Sequence, residues 1–136
     1  MKLTSASIWV HDQDEALAFY TDKVGMEVRE DVTMAEMGNF RWLSVGHPSQ
    51  PDINLVLIKL MGPPMLDKDA ADKLAELVAM GVTGGIFFET DDCQGTYETL
   101  KARGVEFHEE PSQRPYGVDA AFRDPSGNQI RITQRA

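Results

Sequence analysis

Apolar and polar residues alternate over residues 5–10, with Ala6, Ile8 and Val10 on one parity and Ser5, Ser7 and Trp9 on the other. That period of two predicts a strand with one apolar face. Beyond it, Ala16, Phe19, Tyr20 and Lys23 fall at spacings of three and four, so residues 14–23 read as a helix with an apolar stripe turned to the sheet. Gly25 stops the helix where a left-handed residue is easiest to accommodate. Three further strands are expected at 26–31, 38–46 and 53–60.

The same pattern returns later in the chain. With Asp12 set against Asp92, Ile8 falls on Phe88, Val10 on Thr90, Leu17 on Tyr97 and Tyr20 on Leu100, all at one offset. After the loss of one residue in the turn, Gly25–Asp31 lies on Gly104–Glu110. A match through strand, helix, turn and strand marks a structural duplication. The second half therefore predicts a helix at 93–102 and strands at 105–109, 118–123 and 128–134, giving βαβββ twice and an α+β fold. Asp12 or Asp14, and Asp91 or Asp92, are placed to cap the helix N-termini.

Between the halves, Met61-Gly-Pro-Pro-Met65 is a turn, and residues 68–79 are rich in helix formers. The expected organisation is one domain spanning 1–136: a half-repeat at about 1–60, a linker helix at about 66–80 and a second half-repeat at about 83–134. Neither half alone would bury its sheet well.

Composition narrows the function classes. A formal net charge of −9 argues against a nucleic-acid surface, which needs clustered Lys and Arg. Cys93 is the only cysteine, so no intrachain disulfide and no thiolate metal cluster can form, and a reducing cytoplasm is the compartment expected. The first residues lack the apolar run of a signal peptide, and no stretch approaches the roughly 20 apolar residues that span a bilayer. A small-molecule partner is favoured.

Several segments together resemble the vicinal oxygen chelate superfamily, the glyoxalase, bleomycin-resistance and extradiol-dioxygenase group. They are Ile8-Trp-Val-His-Asp12 with Ala16-Leu-Ala-Phe-Tyr20, Gly25-Met26, Pro115-Tyr-Gly117 and Phe122-Arg-Asp-Pro-Ser-Gly-Asn128. The resemblance implies that each half folds into a curved mixed sheet, that the two form an open barrel, and that its concave face holds a ligand. It also implies a homodimer. Asp124-Pro-Ser-Gly127 has a reading of its own, as a turn before the last strand.

Metal-dependent relatives place His or Glu on the first and last strands of each half. The corresponding residues here are Ser5, Asn54, Gly85 and Arg131. Glycine has no donor and a guanidinium is always cationic, so this set predicts that the metal, and any other cofactor, has been lost. His11, His47 and His108 are scattered in sequence and read as turn or surface residues.

Strand parity sends Ser7, Trp9, Asn54, Val56, Phe87, Glu89 and Arg131 toward the concave face. Trp42, Arg114 and Tyr116 are placed at its rim. Trp9 and Phe87 serve either as barrel filling or as stacking surfaces for a ligand. Glu89 and Arg131 either pair with each other or bind polar groups of the ligand, with Glu89 the one candidate general base. The leading expectation is a metal-independent protein that binds an aromatic or apolar organic molecule. The alternative is a glyoxalase-like lyase, isomerase or dioxygenase, working by metal or by acid and base; a third reading is a structural partner with a filled barrel.

Overall fold

A computed structural model describes residues 1–136 and carries the duplication into three dimensions as two separate four-stranded sheets. The chain falls into two units, Met1–Glu76 and Leu77–Ala136. In each, an antiparallel set of three strands is extended by a parallel first strand, as βαβββ connectivity requires. Both sheets are curved and open.

The first unit contains β1 (Ser5–Val10), α1 (Gln13–Ala18), β2 (Glu27–Met34), β3 (Phe40–Gly46) and β4 (Asn54–Lys59), with sheet order β1-β4-β3-β2. Asp12 caps α1, its Oδ1 accepting from the Glu15 N–H at 2.9 Å. Val10, Ala16, Phe19, Tyr20, Leu43, Val45 and Leu57 are buried and form its core. Gln13 is also buried: its Nε2 donates to the carbonyls of Leu57 (2.9 Å) and Arg41 (3.1 Å), pinning α1 to β4 and β3.

The helix expected over 14–23 stays α-helical only to Ala18 and then widens into a π-helical turn, Phe19–Lys23. There the Val24 N–H reaches the Phe19 carbonyl at 3.1 Å, and the Thr21 hydroxyl takes the Leu17 carbonyl at 2.8 Å. Adjacent Phe19 and Tyr20 are both buried in this turn, their rings edge to face at 5.2 Å.

The linker helix α2 is Lys68–Ala79, inside its expected bounds. Asp67 caps it, accepting from the Ala70 N–H at 2.8 Å. The second unit contains β5 (Gly85–Glu89), α3 (Cys93–Ala102), β6 (Phe107–Arg114), β7 (Gly117–Arg123) and β8 (Gln129–Arg135), ordered β5-β8-β7-β6. Asp92 caps α3 by accepting from the Gly95 N–H at 2.9 Å. Tyr97 of α3, Phe107 and Phe122 follow one another edge-on and tilted, with centroids 4.6 and 4.9 Å apart.

The second strand of each unit is longer than expected, eight residues in both. Bulges explain the shortfall: register shifts between Val28 and Glu30, between Phe107 and Glu109 and between Glu109 and Ser112 reset the alternation partway along. The Asp124 turn matches its structural reading. Its carboxylate accepts from the N–H groups of Ser126 and Asn128 and from the Asn128 amide, each at 2.9 Å. Gly127 follows at φ +105°, and a Cβ there would lie 2.6 Å from the Val78 carbonyl of α2.

Candidate functional site

The pairing register fixes which side chains share a sheet face. In the first unit Arg41 reaches Asp14 of α1 at 2.7 Å, so Arg41, Leu43 and Val45 of β3 face the helix and Trp42 and Ser44 face away. Ser44 pairs with Val56, Val56 with Ser7, Ile58 with Trp9 and Asn54 with Ser5. Ser7, Trp9, Asn54 and Val56 are thus brought to one face, as strand parity predicts, and Trp42, expected at the rim, lies on the same face. Val56 and Ser44 are buried, Trp9, Trp42 and Asn54 half-buried, and Ser7 exposed. The Trp42 indole N–H donates to Glu30 Oε1 at 3.2 Å.

On the second unit, the face turned from α3 carries Phe87, Glu89 and Arg131, with Phe87 directly opposite Arg131 and Glu89 opposite Thr133. Arg131 and Glu89 do not pair with each other. The Arg131 Nε donates to Asp119 Oδ2 at 2.8 Å and its Nη2 to Glu109 Oε2 at 2.5 Å. Asp119 lies diagonally across from Arg131 on β7 and is 1% exposed, so it claims the guanidinium. Glu89 is left to Arg135, 2.6 Å away, in a pair that is more than half exposed on both sides. The fork expected to capture a ligand anion is therefore filled from within, and Glu89 stands in solvent rather than in the dry setting of a buried general base.

Tyr116, half-exposed at the start of the β7 hairpin, donates its hydroxyl to Asp119 Oδ2 at 2.9 Å. Arg114 completes the cluster, 3.4 Å from Asp119 and 3.8 Å from Glu109. The Arg131 hydrogen bond holds the Asp119 carboxyl below its ordinary value of 3.8, against the opposing effect of burial. Donation to that carboxylate pushes the Tyr116 phenol up. In the first unit the same physics lowers Asp31, bound by Arg41 Nε at 2.9 Å.

The metal-ligand positions can be tested by register. Arg131 lies opposite Phe87, and Ser7, the counterpart of Phe87 in the duplication, lies opposite Val56. The counterpart of Arg131 is therefore Val56 and not Asn54, which matches Gln129 instead. Ser5 and Val56 offer one hydroxyl in the first unit, and Gly85 and Arg131 offer no donor in the second, so neither pair fits a divalent ion. None of the histidines stands at these strand positions. His11 sits in an exposed bend, His47 Nδ1 meets the Ser49 hydroxyl at 2.7 Å, and His108 Nε2 meets the Gln129 amide at 3.0 Å.

Asp119, Glu109, Glu30 and Ser44 escaped the reading from sequence. Asp119 and Ser44 had a usable signal, since each alternates with helix-facing residues on a strand that was correctly expected. Glu109 lies behind a bulge that breaks its parity.

With this geometry in place, the matching family model, Glyoxalase/Bleomycin resistance protein/Dioxygenase superfamily, covers residues 2–132. The chain belongs to that superfamily. It is 36% identical to the uncharacterized protein YurT of Bacillus subtilis (strain 168) over 99% of its own length and 100% of the relative's. Among solved structures, UcmS2 is 42% identical with a TM-score of 0.90, covering 98% of each chain. TnmS3, an antibiotic binding protein from Streptomyces sp. CB03234, is 29% identical with a TM-score of 0.75, covering 100% of this chain and 97% of its own. Glyoxalase I from Zea mays shares the fold alone, at 23% identity and a TM-score of 0.74 over 99% of this chain and 45% of that one.

Proposed function

We propose that this chain is a metal-independent small-molecule binding protein that takes an aromatic or apolar organic ligand on the sheet faces turned away from its helices. The observation that carries the reading is Phe87. Its side chain lies mid-strand and 73% exposed, beside a network whose charges are already paired. An exposed aromatic ring on a regular strand, beside charges already satisfied, offers a planar ligand a stacking surface. The first unit's sheet has aromatic surface of its own in Trp9 and Trp42. Likeness over its whole length to an antibiotic binding protein supports the same reading, and so does the misfit between the metal-ligand positions and a divalent ion.

Tryptophan fluorescence titrated with a panel of planar aromatic compounds tests it, using Trp42→Phe to isolate Trp9. Saturable quenching by at least one compound is expected; Phe87→Ala should separately lower affinity at the second unit's sheet, measured by calorimetry. Silence across the panel would defeat the reading. Metal analysis of protein purified without chelator gives a second test: stoichiometric Ni, Zn, Fe or Mn would overturn metal independence.

The reading extends to a protein that acts in the cytoplasm as a homodimer and folds as one domain. No helix is long and apolar enough to cross a membrane. Sedimentation equilibrium at twice the chain mass of 15.1 kDa and a single calorimetric transition are the expected results.

A further inference from the structure

Two buried oxygens on the first sheet have no hydrogen-bond partner, Ser44 Oγ and Asn54 Oδ1. Both lie on the face turned from α1, with Val56 opposite Ser44 and Asn54 two residues before Val56 on the same strand. Buried polar atoms in folded proteins are nearly always satisfied, so two orphans on one face call for an explanation.

The duplication shows that the fold does not demand this hydroxyl. Ser44 pairs with Val56, and Ala121 pairs with Arg131, the counterpart of Val56. Ala121 therefore occupies in the second unit the place of Ser44 in the first, and both are 0% exposed. A methyl group packs there equally well, so Ser44 carries an oxygen that packing alone does not use. Its surroundings on that face are the apolar Val56, the Trp42 indole and the Glu30 carboxylate that the indole engages.

Resting on the binding role proposed above, we infer that Ser44 and Asn54 form a polar subsite for a neutral O–H group, a hydroxyl or phenol, on an otherwise aromatic ligand. Asn54 Oδ1 can only accept, so the ligand must donate to it, while the Ser44 hydroxyl both donates and accepts. Glu30 on the same face and a net charge of −9 on the chain select against an anionic substituent.

Calorimetric titration of flavone, 6-hydroxyflavone and 6-methoxyflavone into the full-length protein tests the inference. Wild type should bind the hydroxy compound about tenfold more tightly than the methoxy one, the scale of one hydrogen bond. Asn54→Leu should bring that ratio near one, and Ser44→Ala should weaken the hydroxy and methoxy compounds alike while leaving the flavone affinity within about twofold. Thermal melting of ligand-free Ser44→Ala, expected at or above the wild-type Tm, supplies a readout independent of any ligand. A ratio that survives in Asn54→Leu, or a Tm of Ser44→Ala lowered by several degrees because the hydroxyl has a partner within the protein, would overturn the subsite alone. If none of the three compounds binds, the binding role falls and the subsite with it.

Discussion

On their helix-facing sides the two units solve one problem in nearly the same way, and on their other faces they part company. Gln13 and Cys93 hold the same place after the capping aspartate. Gln13 Nε2 reaches the Leu57 carbonyl, and Cys93 Sγ approaches the matching carbonyl of Ile132 at 3.7 Å. Across the open faces, register sets Trp42 against Asp119, Val56 against Arg131, Ser44 against Ala121 and Trp9 against Glu89. Glu30 and Glu109 correspond too, yet one accepts from an indole and the other from a guanidinium. The helix side keeps the same anchoring plan in both units, whereas the other face has become aromatic in one unit and ionic in the other.

The sharpest way to break this comparison is Asp119→Ala. Removing a carboxylate that is 1% exposed and serves Arg131, Arg114 and Tyr116 should cost about 3–5 kcal/mol in urea unfolding near neutral pH. Because folding lowers this carboxyl below 3.8, its stabilisation is present above that value and is lost as pH falls through the folded pKa. The wild type should therefore lose stability in acid more steeply than the variant. Equal slopes would show that the network is not what sets the acid limit. Asp119→Asn, which keeps an acceptor, should lose less than Asp119→Ala.

A smaller effect separates the two helix anchors. Gln13→Ala leaves two carbonyls without their side-chain donor and should cost about 2 kcal/mol, while Cys93→Ala forfeits a small thiol and a weak contact for about 1 kcal/mol. Reversal of that order in matched denaturant midpoints would show that the Cys93 site is the more rigid. Burial pushes the Cys93 thiol up, so it should also react slowly with thiol reagents in the folded state. Smallest of all, Phe87→Ala should change stability by less than about 0.5 kcal/mol, since a ring 73% exposed buries little, while ligand affinity falls. A large loss of stability would mean that the ring serves the fold.

Much of the fold was legible because its signals are local and repeated. Of the paired cap candidates, Asp12 rather than Asp14 and Asp92 rather than Asp91 cap their helices; α3 spans 93–102 as expected, and the helix expected at about 66–80 is α2. The bulged strands were read short because an inserted residue erases period two from that point on, and adjacent Phe19 and Tyr20 disguised a π-helical turn as ordinary helix. At the candidate site, parity placed Ser7, Trp9, Asn54, Val56, Phe87 and Arg131 on their faces. Pairing was harder to read. Glu89 lies across from Thr133, with Arg131 and Arg135 two residues to either side, and the choice between them depends on Asp119, a residue on another strand.

The Asp119 cluster brings two acids and two guanidinium groups into one patch, and the nearby Glu89 and Arg135 cancel in turn. In a chain of strongly acidic composition, this leaves one sheet surface with almost no electric field of its own. An uncharged molecule settling beside Phe87 should feel neither pull nor repulsion, and its affinity should stay level from dilute buffer to high ionic strength.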